Sequence, residues 1–506
     1  MAPSPSASGP SPHTSNASSL EANASPLSRP RPCPVQVPRP LDKQTTSGRL
    51  IEKATQHHSS PRRTTDELGQ SAKASRQPSP AREPGTSHSS QVNDDPPQFH
   101  PHSQRSNLEA DVIFFDLFAG LGSASTSLKW AGLDESATYI IEAGLGPAAY
   151  LPNLLRQKFP LATVWQHIEE LTNDDHRLLK KIVADHQKKN PRVTAVVFGG
   201  FPCQDLTCKG AGRGLQGSRS SLVGQLLSII LKLNDLGINT WFCAENVASM
   251  APPQRQLLEK AFGISASAVD SNLWYPTHRA RLLFTNIPHA RPVEDNLIKQ
   301  HEVLEPGWTT AAAAGFKSTR PSHSHTWRTF MRAIGPGEPP EHPSDYWHFS
   351  FVGYGVESLL VKDPLSPSDR TTVLKHLQQG EAFTSAFNLN NRAKLVKWIH
   401  EDGGSSLLRP LCSIERGRAL GYSAQELYRD GNVPTRFSEA DWHASTALGN
   451  CLSPRMTLHI CSGLKNLMEK QPNKRPQSGP PREELHDLNP DGILKKIRQW
   501  QGASHR

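Results

Sequence analysis

Phe198-Gly-Gly-Phe-Pro-Cys-Gln-Asp-Leu-Thr207 follows the apolar run Thr194-Ala-Val-Val-Phe198 and sets a cysteine where a strand hands over to a glycine-rich loop. Pro202 fixes one backbone angle and has no N–H, so the chain turns sharply there and can present Cys203 outward. A thiol in that position is either a small apolar filler or a nucleophile. The flanking sequence bears on which. Upstream, Val112-Ile-Phe-Phe115 is a short apolar run, followed by Asp116-Leu-Phe-Ala-Gly-Leu-Gly-Ser123 and a helical pattern through Trp130 that ends at Gly132. This is strand, glycine turn, helix. Thr138-Tyr-Ile-Ile141 makes a second strand ending in Glu142, and a third falls near Ala162-Thr-Val-Trp165. Residues 173–189 read as a polar helix with Leu178, Leu179, Ile182 and Val183 on one face. Downstream come a helix over 222–233, a strand over 240–243 running into Ala244-Glu-Asn-Val247, and a strand at Arg281-Leu-Leu-Phe284. The alternation predicts an α/β fold, an open and mainly parallel sheet with helices on both faces. Ligands bind such sheets beyond the strand C-termini, where Gly120, Gly122, Glu142, Cys203 and Glu245 converge.

The chain has 506 residues, but only 36% are hydrophobic and 43 are proline, concentrated near the N-terminus. Residues 1–108 are rich in Ser, Pro, His and Arg and show no periodic apolar face, so they predict a disordered arm. Its basic pieces Arg29-Pro-Arg31 and Pro61-Arg-Arg63 read as solvated linker charge or as import and DNA-contact elements, and the arm is available to partner proteins. Residues 109–288 form the expected catalytic, cofactor-binding domain, and 289–406 lose the strand–helix rhythm and form a smaller lobe. Residues 407–468 return to the catalytic domain, and 469–506 read as a polar basic tail with an amphipathic patch at Ile493-Leu-Lys-Lys-Ile-Arg-Gln-Trp500. Trp308, Trp327 and Trp347 of the lobe are expected in its core rather than as base-stacking surfaces.

The formal charge of +9 makes an acidic polymer a plausible partner. Seven cysteines form no CxxC pair, which argues against a disulfide framework and a structural zinc module and points to a reducing compartment. No apolar run approaches the roughly 18 residues needed to span a bilayer, so a soluble protein without membrane contact is expected. The acids at strand ends carry the chemistry. Glu142 suits acceptance from ribose hydroxyls, and Glu245, at the end of an apolar strand, is expected to hold a raised pKa, as a proton donor needs near neutral pH.

Asp116-Leu-Phe-Ala-Gly-Leu-Gly122, Gly199-Gly-Phe-Pro-Cys-Gln204, Glu245-Asn-Val247, His278-Arg-Ala-Arg281 and Gly449-Asn-Cys-Leu-Ser-Pro454 occur in that order. Together they resemble the C5-cytosine DNA methyltransferases over about 110–290 and 407–468. Pro-Cys-Gln-Asp-Leu-Thr207 and Thr277-His-Arg-Ala-Arg281 look most like the eukaryotic de novo branch. The resemblance implies a Rossmann-like, S-adenosylmethionine-dependent methyltransferase sheet with an irregular target-recognition lobe at 289–406. It implies a nuclear enzyme of the de novo type that flips a CpG cytosine out of duplex DNA and moves a methyl group from S-adenosyl-L-methionine to its C5. In the family, the residue matching Cys203, next to Pro202, adds to C6 of the base. Glu245 then holds N3 and the amino group, Arg281 braces base and Glu, Arg279 supports the loop, and Asn246 fixes the backbone beside Glu245. The cofactor is expected across Phe118, Ala119, Gly120, Leu121 and Gly122, with its ribose on Glu142 and its amino-acid end near Asn450. The basic loop 209–219 is expected to close over DNA with Lys209, Arg213 and Arg219 near phosphates.

Two positions depart from the family pattern. Trp165-Gln-His-Ile168 has no acid beside the cofactor adenine, so His167 or Gln166 is expected to replace that contact, and Cys451 stands where Ser is typical. Two other functions fit parts of this pattern. One is an RNA (tRNA) cytosine-5 methyltransferase, for which Asp205-Leu206 is less suited. The other is a catalytically silent regulatory homologue, against which the intact Cys203, Glu245 and Arg281 argue.

Overall fold

Seven strands form the main sheet in the order β3-β2-β1-β4-β5-β7-β6. Chain order runs β1 (Asp111–Leu117), α1 (Ser123–Trp130), β2 (Ala137–Ile141), α2 (Leu151–Lys158), β3 (Thr163–Trp165), α3 (Glu169–Thr172), α4 (Arg177–Lys189) and β4 (Val193–Gly200). Then follow α5 (Leu222–Asp235), β5 (Asn239–Val247), α6 (Pro252–Phe262), β6 (Ser267–Val269) and β7 (Arg281–Thr285). A computed structural model describes residues 111–133, 137–206, 213–217, 219, 221–290, 292, 298–311, 313–316, 327, 360–379, 407–409, 411–428, 431–435, 438–471 and 474–503. All lie in the unit His88–Arg506. The expected arm 1–108, the basic pieces within it, Lys209 and Trp347 lie outside the described residues.

Strands β1 to β5 pair in parallel, as expected, while β7 pairs antiparallel to β5 and β6 antiparallel to β7. The strands' two-residue period sorts their side chains onto two helical layers. Ile113, Phe115, Leu117, Ala195 and Val197 join one core with Leu226, Leu227 and Ile230 of α5. Val112, Phe114, Val196 and Phe198 join another with Met456, Ile460, Cys461 and Leu464. Those last residues sit on α12 (Pro454–Lys470), which packs against α1 and the main sheet. Ser127 of α1 donates to the Pro454 carbonyl at 2.7 Å, fixing that contact.

Between β7 and α12 the chain forms α7 (Gln300–Val303), β8 (Trp308–Thr310), β9 (Leu360–Lys362), α8 (Pro367–Gln379), β10 (Leu408–Arg409), α9 (Ser413–Arg418), α10 (Ala424–Leu427) and α11 (Glu439–Asn450). A three-stranded antiparallel sheet, β10-β9-β8, crosses the expected boundary at 406, so β10 belongs structurally with the lobe. Arg409, almost fully buried, joins the two parts. It bonds bidentately to Glu415 at 2.7 and 2.8 Å, reaches Glu305 at 3.2 Å and stacks on Trp308 at 4.0 Å. Glu305, Cys412 and Glu415 cluster closely enough to suggest a metal, but the Arg409 guanidinium already supplies the positive charge these acids need. Trp327 is buried, as expected of a core residue, whereas Trp308 is half-exposed under Arg409.

The expected tail is corrected most clearly. Helices α13 (Arg482–Leu485) and α14 (Pro490–Ala503) place Leu485, Ile493, Leu494, Ile497 and Trp500 inside the core shared with α5 and α6. Gly224 on α5 admits the contact, since a Cβ there would stand 2.5 Å from the Pro490 carbonyl oxygen. Lysine and arginine on the outer face of this segment hide an apolar stripe that spans only two turns. Among the described residues, no helix is long and apolar enough to cross a membrane.

Candidate active site

The strand order reverses at β1, which has β2 on one side and β4 on the other, and the crevice beyond their C-terminal ends is the site. Phe118 leaves β1 with φ +59°, a left-handed conformation that costs a non-glycine residue about 1–3 kcal/mol. Gly120 and Gly122 continue the turn at φ +56° and +72°. The Glu142 carboxylate holds this turn, accepting from the Gly120 N–H at 2.8 Å and the Gly144 N–H at 3.0 Å. Burial raises the Glu142 pKa, and those two N–H donors pull it back. Lys158 of α2 donates to the Leu121 carbonyl at 3.1 Å, a brace that the spacing of the sequence does not announce.

Asp116, read only as the start of the glycine motif, is buried beneath the crevice. One of its oxygens accepts from the Ser125 N–H at 3.0 Å and the Ser125 hydroxyl at 2.6 Å, capping the first turn of α1. Burial pushes its pKa up to about 6 against those bonds. Phe118, Ala119, Ser123, Gly199, Gly200, Glu245 and Asn450 also line the cleft. Its charged lining residues are Asp116 and Glu245, with no lysine or arginine among them.

Cys203 is half-buried on the loop after β4, with the Leu206 N–H donating to its carbonyl at 2.9 Å. On the next strand Glu245 pairs in register with Gly200. A Cβ at Gly200 would stand 2.9 Å from Glu245 Oε2, so only glycine lets the carboxylate face the loop without displacement. Arg281 Nε meets Glu245 Oε1 at 2.6 Å, with only 9% and 12% of the two side chains exposed. Burial raises the Glu245 pKa, as the sequence predicts, while Arg281 and then Arg279 oppose the shift. Burial likewise raises the Cys203 thiol, with Arg281 again the leading opposing charge. Asn246 donates through Nδ2 to the Phe201 carbonyl at 3.0 Å and accepts the Val247 N–H at 2.9 Å. It therefore ties the strand bearing the acid to the loop bearing the thiol.

Arg279 is fully buried and donates to the Gly449 carbonyl at 3.1 Å, linking its loop to α11. Burial, then Arg281, lowers its pKa to about 10. Asp270 organises the same loop through the Arg279 N–H at 2.6 Å and His278 Nδ1 at 3.2 Å. Trp327 threads in from the lobe, donating to the Pro276 carbonyl at 2.7 Å and accepting the His278 N–H at 2.8 Å. Neither Asp270 nor Tyr422, which donates to the Leu452 carbonyl at 2.5 Å and bonds Ser123, carries a sequence signal beyond its residue type. The Gln204 Oε1 is buried beside the cysteine without a hydrogen-bond partner, an acceptor that a donor on a ligand would satisfy.

Residues expected at the periphery divide. Arg213 is 65% exposed and 3.8 Å from Asp205 Oδ1, while the Arg219 N–H donates to the Asp205 carboxylate at 3.3 Å with its side chain exposed. Asp205, buried, is thus the anchor of this segment. His167 lies two residues beyond Trp165, which pairs with Ile141, so it stands at the Glu142 edge of the sheet, but its side chain is exposed and does not line the cleft. Cys451 is buried, its thiol donating to the Leu448 carbonyl at 3.3 Å. It also lines the cleft beside Asn450.

Fold and site together define a doubly wound α/β domain whose strand ends gather a cysteine, an acid and an arginine beside a glycine turn. Residues 112–269 match the C-5 cytosine-specific DNA methylase family. A stretch of 55 residues is 44% identical to the Type II methyltransferase M2.BsuMI of Bacillus subtilis (strain 168), covering 11% of this chain and 14% of that protein. The chain is also similar to the S. pombe Dnmt2 methyltransferase crystal structure, at 17% identity over 72% of this chain and 99% of that one, with a TM-score of 0.39.

Proposed function

We propose that this protein is a nuclear DNA (cytosine-5)-methyltransferase of the de novo type, acting on CpG cytosines in duplex DNA with S-adenosyl-L-methionine. The observation that carries this reading is the buried Glu245–Arg281 pair, one strand from the Cys203 loop and facing Gly200. C5 of cytosine is a weak nucleophile, so a thiol must first add to C6. Glu245, with its raised pKa, donates toward N3 and takes the amino group, drawing electron density out of the ring. Arg281 holds that carboxyl in place, and Asn246 keeps the Cys203 loop in register with it. S-adenosyl-L-methionine, when bound, supplies an electrophilic methyl group. Phe118, Ala119 and Asn450 would contact it, with Glu142 shaping the glycine turn toward its ribose. After methylation at C5, loss of the C5 proton to solvent lets the C6–S bond break and returns Cys203. The base must leave the stack to reach this recess.

The resemblance of Pro202–Thr207 and Thr277–Arg281 to the eukaryotic de novo DNA methyltransferases supports the DNA assignment. Transfer of a labelled methyl group to an unmethylated CpG duplex, with a tRNA in parallel, tests it. Label on the duplex cytosine is expected. Label on the tRNA alone would move the assignment to RNA, and cofactor binding without transfer to either would favour a regulatory protein.

A further inference from the structure

The C-terminal helix reaches the catalytic loop. Arg498 on α14 donates through Nε and Nη2 to the Leu215 carbonyl at 3.0 and 2.8 Å. From the opposite side, Gln254 of α6 accepts the Leu215 N–H at 3.2 Å. Leu215 is fully buried in the short turn Gly214–Gln216, and both its backbone groups are therefore held by side chains from outside the loop. The turn continues to the cysteine. The Gly214 N–H donates to the Asp205 carbonyl at 2.8 Å, and the Leu206 N–H donates to the Cys203 carbonyl at 2.9 Å. Asp205 also fits against Gly217, where a Cβ would stand 2.1 Å from its carboxylate. The helix carrying Arg498 has a defined seat. Ile493, Leu494, Ile497 and Trp500 are buried on it, Trp500 donates to Glu484 at 3.1 Å, and Lys260 of α6 sits 4.1 Å over the Trp500 ring.

We propose that Arg498 is a positioning residue for the nucleophile and that α14 is part of the catalytic unit, clamping the turn Gly214–Gln216 that anchors the Cys203 loop. The proposal rests on reading Cys203 as the nucleophile. Holding a charged fork on one buried carbonyl costs side-chain entropy, and the two charge-assisted bonds return it by fixing that carbonyl in place. Releasing it frees the turn to open locally without unfolding the sheet.

The test uses the full chain and two independent readouts: the rate at which iodoacetamide alkylates Cys203, resolved by peptide mass spectrometry, and single-turnover methyl transfer. Arg498→Ala is expected to raise the Cys203 alkylation rate about fivefold and to lower the transfer rate about tenfold with cofactor Kd unchanged. Arg498→Lys, which can supply one of the two donors, should restore part of both, and Gln254→Ala should reproduce the effect from the other side. Lys496→Ala, on the same helix but only 3.9 Å from exposed Glu484, should change neither. If Arg498→Ala lowers the melting temperature while Cys203 alkylation and transfer match wild type, the residue is merely structural and the proposal is overturned. Should Arg498→Ala fail to fold, Arg498→Lys and Gln254→Ala decide the matter by the same two readouts. The alkylation rate needs no methyl transfer, so a protein that alkylates as expected yet transfers nothing refutes the enzymatic reading and leaves the clamp standing.

Discussion

Replacing Arg281 with leucine strands the Glu245 carboxylate in a place that is 12% exposed, with its cation 2.6 Å away now gone. Breaking a buried pair by removing one partner costs about 3–5 kcal/mol, because the remaining charge keeps its desolvation penalty without compensation. The penalty is not fixed, since an acid can escape it by taking up a proton. The Glu245 pKa is already raised above 4.5 by burial, and Arg281 is the largest influence holding it down. In Arg281→Leu it rises further. A folded-state pKa above the unfolded value means the native state holds the proton more tightly, so stability is greatest at low pH. It then falls by about 1.4 kcal/mol per pH unit as pH rises between the two pKa values. Urea unfolding of Arg281→Leu should therefore show a loss that grows as pH rises above the ordinary glutamate value of 4.5. In a Glu245→Gln background the same substitution should cost about 1–2 kcal/mol at every pH, as for a neutral hydrogen bond removed. Equal losses in the two backgrounds, flat with pH, would show that the two side chains are not energetically coupled and would refute the reasoning.

Gly200→Ala should push the Glu245 carboxylate out of line, since the new methyl stands 2.9 Å from its oxygen. Relieving that contact moves the carboxylate by a few tenths of an ångström, which should slow the chemical step by about tenfold, measured as single-turnover transfer with near-normal cofactor binding. Asn246→Ala removes the bridge to the Phe201 carbonyl and leaves that carbonyl unsatisfied, so the urea midpoint should fall by the equivalent of about 1–3 kcal/mol. Asp116→Asn tests the buried cap of α1. The wild-type group has a folded pKa of about 6 against 3.8, so its contribution favours the fold below pH 4 and is progressively lost up to pH 6. The substitution should flatten the melting-temperature profile across that interval, and an unchanged profile would remove Asp116 as its source.

The site was legible because its residues end short apolar strands. Val112–Phe115, Thr194–Phe198 and Thr240–Cys243 each break into a glycine or an acid, and a parallel sheet brings such breaks together at one edge. The reversal of β7 was not legible, because its three apolar residues, Leu282, Leu283 and Phe284, carry no direction, only their pairing with β5 does. Asp270 and Asp205 act through backbone N–H groups, and a loop aspartate bonded that way looks in sequence like any solvated one. His167, expected at the cofactor adenine because Trp165-Gln-His-Ile168 has no acid there, stands at the Glu142 edge of the sheet with its side chain exposed. The C-terminal helix was misjudged for a compositional reason: Lys495, Lys496 and Arg498 dilute the stripe formed by Ile493, Leu494, Ile497 and Trp500. That stripe is the face against α5 and α6.

The central claim is that Cys203 attacks C6 of a cytosine held by Glu245. Covalent trapping measures it directly, using a CpG duplex with 5-fluorocytosine at the target and labelled cofactor, because fluorine at C5 cannot leave as a proton does and the C6–S bond persists. Wild type should give a denaturation-stable protein–DNA adduct carrying one methyl label, Glu245→Gln much less of it, and Cys203→Ala none. An adduct that survives in Cys203→Ala, or no adduct from a wild-type protein that binds both cofactor and duplex, would contradict the account.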